Sequence, residues 1–130
     1  MFCNGDKDIE IMKDKENINK IIIIGAGTTT HNLIEYMKKL ERRFSDTFFL
    51  CLDNNSLLWG TRLDGVVVSP VDEIQKYPDA DIVISSIYEG DIRKQLEKMN
   101  INNFIMNYVD YKRMIFVDYQ TIKYNAMHHD

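Results

Sequence analysis

The segment Lys20–Gly27, KIIIIGAG, constrains the fold of this chain more than any other. Four consecutive β-branched residues that stop at a glycine are typical of a strand buried on both faces of a parallel sheet. In residues 30–43 the apolar side chains recur at the spacing of one helix face, at Leu33, Ile34, Met37 and Leu40. The sequence therefore predicts a strand, a glycine loop and a helix in direct succession.

Further short apolar runs continue the alternation of strand and helix. The predicted strands are residues 20–24, 48–53, 66–68, 82–86 and 104–107, and the later predicted helices are residues 70–76 and 89–100. This alternation indicates an α/β fold with a parallel sheet. Because crossovers between parallel strands are right-handed, we expect a doubly wound, five-stranded sheet in the order 3-2-1-4-5.

The segments on either side of residues 20–107 break this alternation. Residues 6–19 are highly charged, and the sequence predicts a short amphipathic helix or a loose arm for residues 1–19. Residues 108–130 form an aromatic C-terminal extension that is too apolar for a free tail. This extension either packs back on the sheet, as a helix or hairpin, or contacts a partner. We predict that residues 108–124 are ordered and favour a homodimer, because closed two-fold pairs are the commonest assemblies.

Composition limits the classes of function. The chain has 130 residues, 45% of them hydrophobic, and a formal net charge of −4, which argues against nucleic-acid binding. Its longest purely apolar run, Ile21–Ile24, is too short for a membrane span, and its N-terminus lacks the pattern of a secretory signal. Cys3 and Cys51 form neither a zinc motif nor a disulfide framework. We expect a cytoplasmic protein without a metal site.

The glycine loop, GAGTTTH, is the first candidate binding element. Gly25 suits a tight turn, and Gly27 allows the backbone to approach a diphosphate at the helix N-terminus. Thr30 occupies the third glycine position of the dinucleotide-binding fingerprint. The hydroxyls of Thr28, Thr29 and Thr30 would compensate by donating to phosphate oxygens. Alternatively, the loop is simply the turn of a βα unit and binds no ligand.

Asp53 is the second candidate, because it closes the second predicted strand about 20 residues after the loop, where an acid accepts hydrogen bonds from a ribose diol. An acid at this place disfavours a 2′-phosphate, so the expected ligand is NAD or a nucleotide-diphosphate sugar rather than NADP. An aspartate before Asn54 and Asn55 is also an ordinary turn former. Both interpretations remain open from the sequence.

Three segments together resemble a known family: KIIIIGAGTTTHNLIEYMKKL, LDNNSLLWGTRLDGVVVSPVDEI and DADIVISSIYEGDIRKQLEKMNI. They are similar to the Rossmann-like nucleotide-binding domain of bacterial surface-polysaccharide biosynthesis proteins. That domain is attached to nucleotide-sugar dehydratases and epimerases, sugar acyltransferases and some methyltransferases. The resemblance covers residues 20–107, and its most telling residues are Asp53-Asn54-Asn55, Trp59-Gly60, Gly65-Val-x-Val and Ser69-Pro70.

The resemblance implies that Gly25, Gly27 and Asp53 bind the nucleotide and that Ser85 and Ser86 border the same cleft. The full set of candidate binding residues is Gly25, Gly27, Thr28, Thr29, Thr30, Asp53, Asn54, Ser85 and Ser86. The expected function is a stand-alone nucleotide-binding module that is accessory to glycan biosynthesis and serves a partner enzyme. One alternative is a structural or regulatory interaction domain with an empty cleft. The other is a minimal NAD-dependent enzyme that modifies nucleotide sugars.

We predict no catalytic residue in this chain. Two pairs, Tyr108 with Lys112 and Tyr119 with Lys123, match the spacing of short-chain dehydrogenases, but we interpret them as a consequence of the tyrosine-rich composition. The remaining conspicuous side chains have structural interpretations. They are His31, an exposed histidine; Cys51, a buried hydrophobe; Trp59, which packs a loop on the sheet edge; and His128 and His129, at a frayed end.

Overall fold

The computed structural model describes residues 20–128, to which every structural statement below refers. The predictions for residues 1–19 and for His129 lie outside this range. The strands are β1 (Ile21–Ile24), β2 (Leu50–Leu52), β3 (Arg62–Leu63), β4 (Val66–Ser69), β5 (Asp81–Ile84) and β6 (Ile105–Asn107). The helices are α1 (Thr28–Lys39), α2 (Phe44–Thr47), α3 (Glu89–Lys98) and α4 (Tyr108–Met127), with 3₁₀ helices at Ser56–Leu58 and Val71–Lys76.

The strands form one sheet in the order β3-β4-β2-β1-β5-β6. All pairings among β4, β2, β1, β5 and β6 are parallel, so these strands reproduce the predicted order 3-2-1-4-5. The Rossmann-like doubly wound architecture is thereby confirmed. Strand β1 lies at the centre, where the direction of winding reverses between β2 on one side and β5 on the other.

The prediction of five strands is wrong, because β3 adds a sixth at the sheet edge. It pairs antiparallel with β4, with Arg62 opposite Val67 and Leu63 opposite Val66. The two residues between the strands, Asp64 and Gly65, have φ values of 50° and 89°. Positive φ at both central residues is typical of the tight hairpin turn that Asp-Gly favours. The turn signal was therefore present in the sequence, but a strand of one exposed and one half-buried residue has no hydrophobic pattern.

Alternate residues of β1 face two separate cores, as expected for a central strand. Ile23 belongs to a core formed with α1, α2 and α4, to which Met37, Phe48 and Tyr111 contribute. Ile22 and Ile24 belong to a second core, formed with α3 and the 3₁₀ helix Val71–Lys76. The molecule thus has three layers, and the strand-end loops that carry the predicted site emerge at one edge of a rigid sheet.

Two predicted helices end earlier than their apolar spacing indicates. Helix α1 stops at Lys39 rather than at residue 43, because Glu41 adopts a left-handed conformation with φ of 60°. The Arg42 N–H then donates to the Met37 carbonyl and the Glu41 N–H to the Lys38 carbonyl, which is the Schellman arrangement. Asn100, with φ of 58°, ends α3 at Lys98 in the same way. The predicted helix at residues 70–76 is a 3₁₀ helix.

The aromatic extension is ordered and helical, which decides between the helix and the hairpin. Asn107 is the N-cap of helix α4, and its side chain accepts a hydrogen bond from the Asp110 N–H at 2.8 Å. Tyr111 and Ile115 are buried one helical turn apart. Their burial shows that the first half of α4 covers one face of the sheet. None of the helices in residues 20–128 has the length and apolarity needed to span a bilayer.

Candidate functional site

A cleft of about 550 Å³ lies at the carboxyl ends of β1, β2 and β5. In doubly wound sheets this is where ligands bind, at the point where the strand order reverses. The cleft is lined by Ile24, Gly25, Gly27, Thr28, Thr29, Asp53, Asn54, Asn55, Ser85, Ser86, Ile87, Tyr88, Asp91, Ile92 and Gln95. Eight of the nine predicted binding residues are therefore brought together, and Thr30 is the exception.

The two glycines of the loop have different structural roles. Gly25 has φ of 120°, and an added Cβ would overlap the backbone carbonyl of Ser85. Its lack of a side chain is thus required by the close approach of two strand ends. At Gly27, an added Cβ would meet no atom within 4 Å. This position is open towards the cleft, and a ligand can approach its backbone.

The N-terminus of α1 supplies unpaired donors to the cleft. Gly27 is the N-cap residue and has no side chain to accept a hydrogen bond from the first turn. The N–H groups of Thr28 and Thr29 have no carbonyl partner within the helix, as in any first helical turn. No acidic residue occupies this turn, so the helix dipole favours an anion there. The side chains of Thr28 and Thr29 also line the cleft.

Thr30 lies beneath the loop and does not face the cleft, which corrects its predicted role as a phosphate donor. Its side chain is fully buried, and its hydroxyl donates to the Gly25 carbonyl at 2.6 Å. The Ser85 hydroxyl lies 2.9 Å away. Because a hydroxyl has one proton, the Thr30 oxygen then accepts from Ser85. Thr30 therefore ties the glycine loop to the end of β5.

Asp53 holds the strand-end loops in place with both carboxylate oxygens. Its Oδ2 accepts from the Ala26 N–H at 2.8 Å, and its Oδ1 accepts from the Asn55 N–H at 2.8 Å. A carboxylate has about four acceptor positions, so half of its capacity remains for a ligand. The turn-forming role that the sequence left open is thus observed. Ribose binding would use the remaining positions.

Ser85 and Ser86 directly follow β5, on the opposite side of the glycine loop. The Ser86 hydroxyl accepts from the Tyr88 N–H at 3.0 Å and so shapes the turn into α3. Across the cleft, Asn54 forms a reciprocal pair with Gln95 of α3. The Asn54 Nδ2 donates to Gln95 Oε1 at 2.8 Å, and the Gln95 Nε2 donates to Asn54 Oδ1 at 3.0 Å. This pair joins two walls of the cleft.

The cleft lining carries negative charge. Asp53 and Asp91 are its carboxylates, and no lysine or arginine is found among its described lining residues. Backbone N–H groups and the α1 dipole are therefore the groups that would stabilise an anionic ligand. Such a site suits a ligand of limited negative charge.

The family of the chain follows from residues 17–106, which match the model described as C2185-like, N-terminal. This match spans well over half of the sequence. The chain belongs to the C2185-like, N-terminal family. No curated protein is similar enough to the chain to count as a relative.

Comparison of this C2185-like chain with solved structures finds matches of low similarity. A structure described as RSP, a Rex-family repressor, is 15% identical, with a TM-score of 0.49, and the match covers 95% of this chain and 70% of that one. Complexes of RSP with β-NADH and with β-NAD+ and operator DNA are also 15% identical, each with a TM-score of 0.48. These matches cover 95% of this chain and, respectively, 71% and 67% of the RSP chains.

The other side chains that the sequence analysis singled out lie outside the cleft. The Lys112 ammonium lies 4.7 Å from the ring centre of Tyr36, and Lys123 forms an ion pair with Glu41. The two Tyr-x-x-x-Lys pairs on α4 thus contact other surface elements. His31 is exposed, as expected. Within the described residues no group of histidine, cysteine or acidic side chains could hold a metal ion.

Cys51 and Trp59 contact the loops that form the cleft but are not part of its lining. Burial, together with the charge of Asp53, raises the pKa of the Cys51 thiol to about 12, so this thiol stays protonated at neutral pH. It lies 3.5 Å from the Gly25 carbonyl. The Trp59 indole N–H donates to the Asp53 carbonyl at 2.7 Å. Both side chains stabilise the loops that form the cleft.

Sequence reasoning missed the wall that α3 contributes. Asp91, Ile92 and Gln95 all line the cleft, and Ile87 and Tyr88 lie at its edge with largely exposed side chains. Residues 91, 92 and 95 are spaced for one helix face. In the sequence, that spacing indicates a helix face that packs against the core. The position of α3 beside β5 places this face at the cleft.

Proposed function

We propose that this domain binds a nucleotide with its diphosphate over the glycine loop and its ribose beside Asp53. The observation that carries the proposal is the cleft of about 550 Å³, which combines an open glycine, free helix N–H groups and a carboxylate at the switch point of the sheet. Pockets of this size hold small-molecule ligands in other proteins. The Gly27 backbone and the N–H groups of Thr28 and Thr29 would contact phosphate oxygens.

The charge of the cleft supports NAD or a nucleotide-diphosphate sugar over more anionic ligands. A 2′-phosphate beside Asp53 would meet a carboxylate that is fixed by two backbone N–H groups. No lysine or arginine of the described cleft lining would offset that repulsion. NADP should therefore bind more weakly than NAD.

The domain would act as a binding module and leave chemistry to a partner. The titratable side chains of the described lining are Asp53, Tyr88 and Asp91, and the hydroxyl of Ser85 is held against Thr30. No side chain among them is paired as a nucleophile with a base. The sequence resemblance extends the proposal to a role accessory to bacterial surface-glycan biosynthesis. Turnover of a nucleotide sugar with NAD would instead support a minimal enzyme.

The test is a substitution that stabilises the helix and blocks the ligand. Gly27→Asp supplies the N-cap acceptor that α1 lacks, so the free energy of unfolding should rise by a few tenths of a kcal/mol. The same carboxylate would repel a diphosphate, so nucleotide affinity should fall at least tenfold. Calorimetric titration with NAD, NADP and uridine-diphosphate sugars measures affinity, and urea unfolding measures stability.

Gly27→Asn is the matched control, because it caps the helix equally well without a charge. We expect it to weaken binding less than Gly27→Asp does. Saturable binding that survives Gly27→Asp would place the ligand elsewhere. If the unsubstituted protein binds none of the ligands at millimolar concentration, the proposal is wrong.

A second candidate function, an interaction domain, is favoured by the exposed apolar residues of α4. Val117, Ile122 and Tyr124 are each about 60% exposed, which is unusual for large hydrophobic side chains on one helix. An interaction domain of this kind would bind a protein partner through α4, with or without a nucleotide in the cleft.

A further inference from the structure

The reciprocal pair between Asn54 and Gln95 is exposed to solvent, yet it joins residues 41 positions apart across the cleft. Each amide presents a donor beside an acceptor, and the two edges match at 2.8 and 3.0 Å. Nucleobases carry the same kind of edge, and asparagine or glutamine reads adenine through such a pair of hydrogen bonds. A base can therefore replace one amide without changing the number of hydrogen bonds.

The positions of the two residues in the fold indicate which amide would stay in place when a base binds. Gln95 lies on α3, in the middle of a ten-residue helix whose Ile92 and Leu96 are buried in the core. Asn54 lies in the loop after β2 and is exposed. The loop side chain swings aside at less cost than a side chain anchored on a packed helix. Gln95 is therefore the amide that would keep its position and pair with a base. Asn54 lies where that base would bind.

The surroundings of Gln95 favour a base with an exocyclic amine. Ile92 lines the cleft one turn before Gln95 and provides an apolar surface for the face of a ring. Asp91, also one turn before Gln95, adds a carboxylate, which accepts from an amine and repels a carbonyl oxygen. Adenine presents an amine beside a ring acceptor, whereas uracil presents an N–H between two carbonyl oxygens. If uracil paired with Gln95, it would set one of these carbonyl oxygens against the Asp91 carboxylate.

We propose that Gln95 and Asp91 form an adenine-recognition site in which Asn54 substitutes for the base when no ligand is bound. This inference rests on the proposed nucleotide-binding function and narrows the ligand to adenine nucleotides. It assigns opposite roles to the two partners of one hydrogen-bonded pair. Gln95 contributes to affinity, and Asn54 competes with the ligand.

The experiment is calorimetric titration of the full chain with AMP and UMP, which share the ribose and the phosphate and differ in the base. We expect AMP to bind about tenfold more tightly than UMP, because the adenine amine donates to the Asp91 carboxylate, whereas uracil places a carbonyl oxygen against it. Gln95→Leu should reduce the affinity for AMP to that for UMP. Asn54→Ala should leave the affinity for AMP unchanged or increase it.

Glu97→Leu is the matched control on α3, because Glu97 is exposed and lies outside the described cleft lining. It should change neither affinity, and circular dichroism of every variant checks the fold. Equal binding of AMP and UMP would overturn this inference and leave the proposed function standing. So would an equal loss of AMP affinity in Asn54→Ala and Gln95→Leu. Absence of binding of any nucleotide to the unsubstituted protein would overturn both.

Discussion

Thr28 and Thr30 carry the same hydroxyl two positions apart, yet the fold gives them different surroundings. Thr28 is exposed at the cleft, whereas Thr30 is fully buried between the Gly25 carbonyl and the Ser85 hydroxyl. Their separation follows from helix geometry, since residues two apart point to different sides of a helix. The Thr30 hydroxyl therefore contributes to stability, and that of Thr28 is free to contact a ligand.

Replacement of these threonines by the isosteric valine should separate the two roles. Thr30→Val leaves a buried carbonyl and a buried hydroxyl without their partner, so the free energy of unfolding should fall by about 1–3 kcal/mol. Thr28→Val should change stability by less than about 0.5 kcal/mol and should weaken nucleotide binding. Urea unfolding and calorimetric titration measure both quantities. A stable Thr30→Val variant that loses its ligand would contradict this assignment.

At the scale of elements, α4 is held by an apolar anchor and by exposed ion pairs. The Tyr111 ring is buried and lies 5.5 Å from the ring centre of Phe48, which itself packs on Phe44. Lys123 and Glu41 lie 2.8 Å apart, and their pairing lowers the pKa of Glu41 and raises that of Lys123. Exposed ion pairs contribute little to stability, so the aromatic contact dominates.

We therefore expect unequal effects from two alanine substitutions on α4. Tyr111→Ala should lower the free energy of unfolding by about 3–5 kcal/mol, because it leaves a cavity beside Phe48. Lys123→Ala should leave the urea midpoint unchanged within error. Helicity from circular dichroism would show whether α4 detaches in the first variant. A larger loss in Lys123→Ala than in Tyr111→Ala would reverse the argument.

Within the described part of the whole molecule, the C-terminal end of α4 is exposed along its entire length. Residues 120–128 are all exposed and include Ile122, Tyr124 and Met127. A short helical segment that exposes apolar residues gains little stability by itself in water. The homodimer predicted from the aromatic extension would cover these side chains and remains a prediction.

Charged substitutions on this surface test the dimer without disturbing the core. Val117 and Tyr124 lie two helical turns apart on one face, and both are 60% exposed. If α4 forms the interface, the protein should sediment as a dimer, and Val117→Glu with Tyr124→Glu should convert it to a monomer. Leu57→Glu, at an exposed site in the 3₁₀ helix Ser56–Leu58, is the control. A monomer at all concentrations before substitution would refute the dimer.

Short-range patterns in the sequence were enough to predict the class of the fold and the order of the parallel strands. The run Ile21–Ile24 requires burial on two faces, and each later alternation of strand and helix adds a right-handed crossover. The loop glycines and Asp53 were located for the same reason, since strand ends converge at one edge of a parallel sheet. The exact helix ends and the edge strand β3 were not predicted. A residue in the left-handed conformation, such as Glu41, has no apolar signature, and a two-residue strand is too short to show an apolar pattern.

The surroundings of individual polar side chains, by contrast, depend on contacts between residues that are far apart in the sequence. The burial of Thr30 against Ser85 and the pairing of Asn54 with Gln95 join residues 55 and 41 positions apart. Such contacts depend on how β5 and α3 are placed against β1 and β2. A threonine or an asparagine looks the same in the sequence whether its side chain is buried or faces the cleft. Periodicity reports which face of an element is apolar. The polar contacts at its ends are set by which other element the fold brings within hydrogen-bonding distance.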